Sequence, residues 1–152
     1  MYYLLLELPA LRQLSLTRGE WARGIEKSLD SILEQYRVEH VASSDEFRLY
    51  RYPPVSQANL QELTAFLKEV EETLDAVRED LLGYTMVLHR SDSDAAQEIL
   101  RKLKLRLLSF ALDDGLWFSA EAAKQLEGVC ELQWEAEADL LRVTSLKEIT
   151  PG

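Results

Sequence analysis

Residues Tyr2 to Leu8, YYLLLEL, form a near-continuous apolar run that Pro9 closes. A strand with one wet face alternates apolar and polar residues, whereas a strand covered on both faces is free of that requirement. The run therefore reads as a central strand, and a chain built around it must pack other elements against both of its sides. With 152 residues, 47% of them hydrophobic, the chain can bury one core of that kind and is short for two. A single domain over residues 1–150 is expected.

Downstream, the apolar period switches repeatedly between helix and strand. Thr17 is placed to cap a helix from Arg18 to Tyr36, with Glu20 three places after the cap and Trp21, Ile25, Leu29, Ile32 and Tyr36 at three- and four-residue intervals. Val38, His40 and Ala42 then alternate, Ser43-Ser44-Asp45-Glu46 makes a polar turn, and Phe47, Leu49 and Arg51 resume the alternation, which reads as a hairpin. After Pro53-Pro54, Ser56 offers a cap to a long helix carrying Leu60, Leu63, Leu67, Val70, Leu74, Val77 and Leu81 and ending at Gly83. Tyr84 to Leu88 reads as the next strand and Ser91 as the cap of a third helix. Asp92 and Asp94 read as first-turn acids favoured by the helix dipole. Two final strands fit between Val129 and Val143 around a turn at Glu137-Ala138-Asp139.

Composition removes several classes of function. The formal charge of −10, from 27 acidic against 17 basic residues, disfavours a surface that tracks phosphates, so no nucleic-acid partner is expected. Cys130 is the single cysteine, and neither His40 nor His89 sits in a cluster with metal-ligand spacing, which argues against a disulfide and a zinc site. No run reaches the roughly 18 apolar residues of a membrane span, and the first residues lack a basic segment and a cleavage site; a cytoplasmic protein without membrane contact is expected. Glycine-rich phosphate loops, nucleophile elbows and HExxH sequences are missing, and the serines near histidines are not spaced as a triad. Trp21, Trp117 and Trp134 read as packing residues rather than a base-stacking platform.

The densest information lies in Arg101 to Leu126, RKLKLRLLSFALDDGLWFSAEAAKQL. Leu100, Leu103, Leu107 and Phe110 recur at helical spacing, and Asp113-Asp114-Gly115 supplies a stop. Leu116, Trp117 and Phe118 form a short apolar strand. Ser119 follows as an N-cap, with Ala122, Ala123 and Leu126 on the inner face of the next helix. The order of elements predicts an α+β fold, an α/β sandwich with a mixed sheet and helices packed on it, close to the split βαβ arrangement of ferredoxin-like folds.

From Arg106 onward, RLLSFALDDGLWFSAEAAKQL resembles the C-terminal part of class III nucleotidyl cyclases, the adenylate and guanylate cyclases, and follows their pattern without a gap. The resemblance can be traced more weakly over nearly the whole chain, and it implies the elaborated ferredoxin-like core of that family. LLLELPAL puts Glu7 where the family has its first metal aspartate. ASSDEFRLY puts Asp45 at the second, in a hairpin that also resembles the GGDEF signature of diguanylate cyclases with both glycines replaced by serine. Arg106 falls at the family's transition-state arginine, and Lys102 stands where the family has asparagine. Between GYTMVLH and the helix leading to Arg106, only RSDSDAAQEIL replaces the hairpin in which cyclases carry base recognition and part of the dimer contact.

These departures point to a cyclase-homology domain that has lost catalysis and acts as a regulatory or protein-interaction module. It is expected at the N-terminus of a longer protein, with a protein partner or self-association and no cofactor. Two alternatives stand beside it. One is an active nucleotidyl or diguanylate cyclase using Glu7 and Asp45 with magnesium or manganese, and the other is an unrelated ferredoxin-like binding module. Binding of a nucleotide without turnover stays open at this level.

Overall fold

The computed structural model describes residues 1–44, 46–53, 60–110, 115–126, 130–137 and 140–148. In chain order the elements are β1 (Tyr2–Glu7), α1 (Leu11–Thr17), α2 (Gly19–Tyr36), β2 (Glu39–Ser44), β3 (Phe47–Tyr52), α3 (Leu60–Asp75), α4 (Arg78–Leu81), β4 (Thr85–Arg90), α5 (Ala96–Phe110), β5 (Gly115–Ser119), α6 (Ala120–Leu126), β6 (Cys130–Glu137) and β7 (Leu140–Glu148).

The strands form one seven-stranded sheet in the order β2-β3-β1-β4-β5-β7-β6. β1 pairs antiparallel with β3 on one side and β4 on the other, so the first four strands reproduce the ferredoxin-like order that the alternation of periods predicts. α5 crosses over to bring β5 parallel to β4, and the β6–β7 hairpin extends the sheet antiparallel from β5. The sheet is therefore mixed, and the fold α+β.

Because successive side chains of a strand point to opposite faces, β1 feeds two cores at once. Leu4 and Leu6 pack with buried residues of α1, α2, α3, α4 and α6, including Leu29, Leu63, Leu67, Leu81 and Ala122. Tyr3 and Leu5 pack on the other face with Phe47, Leu49, Val87, Trp117 and the inner side of α5, namely Ile99, Leu100, Leu103 and Leu107. Among the described residues, five helices thus lie on one face of the sheet and α5 alone on the other. Trp117 is fully buried and Trp21 packs at the margin of the first core, as packing residues should; the side chain of Trp134 lies outside the description.

Several local expectations are corrected. Leu11–Thr17 is a helix of its own, and Thr17 ends it instead of capping the next: its hydroxyl donates to the Gln13 carbonyl, while Arg18 is the uncapped start of α2. Leu11 and Leu14 reach the core from this extra turn, which is too short for its period to stand out in sequence. The long helix ending at Gly83 breaks after Asp75 into α3 and α4. At that break Tyr84 donates its hydroxyl to Asp75 at 2.6 Å, Arg78 pairs with Asp75, and Leu82 and Gly83 both take positive φ. The continuous leucine period hides this because Leu74, Val77 and Leu81 keep facing the core across it.

Ser91 does not cap α5, which starts five residues later. The Ser91 hydroxyl accepts from the Ser93 amide and the Ser93 hydroxyl from the Ala95 amide, so two successive serine turns occupy the connection. Asp92 and Asp94 precede the helix, and its first-turn acid is Glu98. The hairpin has the expected strands with a bulge between His40 and Ala42, and β7 runs to Glu148, beyond the expected end at Val143. Ser119 does cap α6, accepting from the Ala122 amide at 3.3 Å. The expected features at Asp45, Ser56, Asp113 and Asp114 lie outside the described residues.

Gly115 opens β5 with φ of +122° and donates its amide to the Tyr84 carbonyl. A Cβ added there would meet nothing within 4 Å, so any cost of a side chain is carried by the backbone alone. Gly115→Ala should therefore destabilise the protein by about 1–3 kcal/mol with no repacking of the core, measured by urea unfolding.

Candidate functional site

The end of β1 and the β2–β3 turn come together through the register of the sheet. Glu7 stands opposite Phe47 of β3 and Thr85 of β4, and the Leu8 amide donates to the Glu46 carbonyl at 3.0 Å. This backbone bond brings the end of β1 beside Glu46; Asp45 lies outside the described residues. The Glu7 carboxyl is pushed above the usual carboxylate range, first by burial and then by the negative charge of Glu46. A carboxylate such as that of Glu7 offers the kind of oxygen ligand that magnesium or manganese prefers. Among the described residues, however, no group of three or more His, Cys, Asp or Glu is placed to hold one.

Lys104 brings a cation to this end of the sheet. Its ammonium donates to the Ser44 hydroxyl at 3.2 Å and sits 5.2 Å from the centre of the Phe47 ring. Ser44, Gln97, Glu98, Leu100, Arg101 and Lys104 line a groove of about 410 Å³ between β2 and α5. A second cavity of about 370 Å³ lies on the opposite face among Leu11, Arg12, Ser15, Leu16, Glu26, Glu46 and Arg48, where Arg48 is paired with Glu26. Sequence reasoning singled out neither Lys104 nor Arg48. Their neighbours are supplied by other elements, so no local spacing could mark them.

Lys102 is exposed, Arg106 is half-buried, and the positive charge of each acts on His89 at the far end of β4. His89 pairs in register with Tyr3 and Thr85 with Glu7. The Glu7 end and the His89 end are thus four residues apart along a strand, roughly 13 Å.

Around His89 is a polar cluster that sequence spacing did not reveal. Buried His89 has Nδ1 3.0 Å from the Ser119 hydroxyl, and the Glu121 carboxylate lies 3.9 Å from the same nitrogen. Burial, opposed by Glu121 and reinforced by Lys102 and Arg106, pushes His89 down to about 4 from its ordinary 6.5. The imidazole is therefore neutral near pH 7, and Ser119, fully buried and already capping α6, is a structural hydroxyl rather than an exposed nucleophile. No described helix is long and apolar enough to cross a membrane.

Comparison with known proteins agrees with this geometry at the level of the fold. No protein-family model matches the chain, and no curated protein matches it either. Among solved structures, the dimeric guanylyl cyclase domain of the RhoGC fusion protein from the aquatic fungus Blastocladiella emersonii superposes with a TM-score of 0.63 at 11% identity, covering 96% of this chain and 94% of that one. The guanylyl cyclase Cya2 gives 0.62 at 9% identity over 97% and 92%. The adenylyl cyclase CyaB from P. aeruginosa gives 0.56 at 9% identity over 99% and 94%. The chain has the fold of adenylyl and guanylyl cyclase catalytic domains over nearly all of its length.

Two outcomes follow from the site's electrostatics. The unfolded chain binds a proton at His89 that the folded protein refuses, so stability is complete above pH 6.5 and falls as the pH drops towards 4. The loss should be on the order of 2–3 kcal/mol and absent in His89→Gln, read from urea unfolding at a series of pH values. Glu7 has the opposite linkage: its raised pKa makes the ionised form unfavourable in the folded state. Glu7→Gln should leave the melting temperature at pH 7 unchanged or slightly higher, and a clear fall would show that the carboxylate is held by a cation.

Proposed function

We propose that this chain is a cyclase-homology domain that does not turn over nucleotide and serves as a regulatory or protein-interaction module. The observation that carries this reading is the connection from β4 to α5, only Ser91 to Ala95. It is fastened to the first strand. The Met1 ammonium donates to the Ser91 carbonyl, the Ser91 amide donates to the Met1 carbonyl, and the Tyr3 hydroxyl donates to the Ser93 carbonyl at 2.6 Å. In the cyclases that the sequence resembles, base recognition and part of the dimer contact come from this stretch. Five residues tied to β1 leave no room for that hairpin, so purine selection has no visible carrier.

The residues at the catalytic positions support the same reading. A lysine at position 102 cannot present the paired donor and acceptor of an amide, and loss of one preorganised contact of that kind costs about 3 kcal/mol of transition-state stabilisation. Glutamate at position 7 is one methylene longer than aspartate, a displacement of roughly 1 Å where a misplacement of that size costs about a hundredfold in rate. Glu7 and Asp45 remain candidates for a vestigial metal pair, and Arg106 and Lys102 for vestigial catalytic positions.

Self-association is part of the proposal. One of the structural neighbours is itself described as dimeric, which supports it. The second reading is an active cyclase requiring magnesium or manganese, and the specific observation in its favour is that the backbone just after Glu7 is bonded to Glu46. Calorimetric titration with ATP and with GTP in the presence of manganese separates the two. No heat of binding is expected at millimolar nucleotide, and Asp45→Ala should change nothing. Binding that vanishes in Asp45→Ala, followed by cyclic product, would replace the first reading by the second.

A further inference from the structure

β2 is an outer strand of the sheet: it pairs with β3 on one side and, among the described residues, with no strand on the other. An unpaired edge presents backbone N–H and C=O groups that another strand can take up, and proteins blunt such edges with bulges and side-chain contacts. Here half of the edge is blunted. The ladder to β3 bulges between His40 and Ala42, and the His40 ring donates from Nε2 to the Ala42 carbonyl at 3.1 Å. From Ala42 to Ser44 the register is regular, opposite Leu49, Arg48 and Phe47. This unguarded half ends at Ser44, which lines the groove of about 410 Å³. One flank of α5, carrying Gln97, Arg101 and Lys104, overhangs the groove, while Lys102 and Arg106 on the other flank act on His89. Lys104 is anchored by its bond to Ser44 Oγ at 3.2 Å, so its charge is held at the strand, and Arg101 stands exposed about one turn away. Against these two cations the lining of the groove has one acid, Glu98.

We propose that β2 and α5 form a docking groove for an extended acidic segment of a partner protein, which adds a strand to the Ala42 to Ser44 half of the edge and lays its carboxylates against Arg101 and Lys104. The inference rests on the reading of this chain as a protein-interaction module, and names the surface and the chemistry of the partner. In such a mode main-chain bonds supply affinity and side chains supply selection. Charge selects here: the chain as a whole carries −10 and repels an acidic segment, whereas the groove is lined by two cations and one acid. A second copy fits this edge poorly. Its own β2 brings Glu39 as its one acid, already paired with Arg51 at 2.7 Å, and antiparallel pairing of two such edges along their length sets the bulge of each against the open half of the other.

The test is a titration of the full chain with a fluorescein-labelled peptide of alternating glutamate and valine, about eight residues long, read by anisotropy with hydrogen exchange followed along β2. Saturable binding is expected, with new protection in the Ala42 to Ser44 stretch. A fully N-methylated version of the peptide, which cannot complete the ladder, should not bind, nor should one with lysine in place of glutamate. Arg101→Glu, a change at an exposed helix position, should weaken binding roughly tenfold at low salt, and the difference should shrink as salt rises. Absence of binding, equal binding of the lysine peptide, an unchanged affinity in Arg101→Glu, or protection that arises elsewhere would each overturn the groove. Inorganic phosphate binding as tightly as the peptide would reduce it to an anion pocket, and dimers that already protect Ala42 to Ser44 without peptide would give the edge to a second copy; either result overturns the proposal. No nucleotide enters these measurements. Cyclic product from this chain would therefore defeat the non-catalytic reading and leave the peptide result standing, and failure of the peptide would leave that reading untouched.

Discussion

Everything in this fold depends on β1 being buried on both faces and bonded on both edges. Leu4, Leu5 and Leu6 are each no more than 2% exposed, alternately facing the five-helix side and the α5 side. Full burial of one leucine stabilises by about 1.5–3 kcal/mol, so these three together rival the 5–15 kcal/mol net stability of a typical domain. The antiparallel ladders to β3 and β4 satisfy the backbone of the same residues, which would otherwise be desolvated without partners.

That constraint also fixes where chemistry can sit. With both faces and both edges of β1 occupied, only the strand ends reach solvent, and they differ. One end gathers Glu7, Glu46 and Lys104; the other gathers Met1, the pinned Ser91 to Ala95 connection and, one strand over, His89 with Ser119 and Glu121. The acidic end holds a proton more tightly than a free carboxylate, and the basic end refuses one at histidine. Both shifts arise mainly from desolvation, the electrostatic consequence of a two-sided core.

The sequence was legible wherever one element's own period decided the outcome. The central strand, α2, the hairpin, the Leu116 to Phe118 strand and the Ser119 cap each follow from residues within a few places of one another. Errors arose where a distant partner decided. Ser91 is surrounded by capping signals, yet its backbone bonds to Met1 divert it into a serine turn. Thr17 carries a capping hydroxyl, but α1 claims it. The α3 to α4 break depends on Tyr84 reaching back to Asp75, a contact absent from any helical pattern.

For the site, the sequence placed Glu7 at a strand end and Arg106 on the helix before β5, both of which are determined locally by periodicity and chain order. It could not place them relative to each other, because that separation is set by the register of β1 against β4 and by the path of α5 over the sheet. The His89, Ser119 and Glu121 cluster was likewise invisible: position 89 and position 119 meet only because β4 and β5 pair in parallel across a crossover. Local sequence determined what each segment is. The tertiary structure decided which charges share a low-dielectric pocket, since burial and neighbouring charge exist only once the sheet has formed.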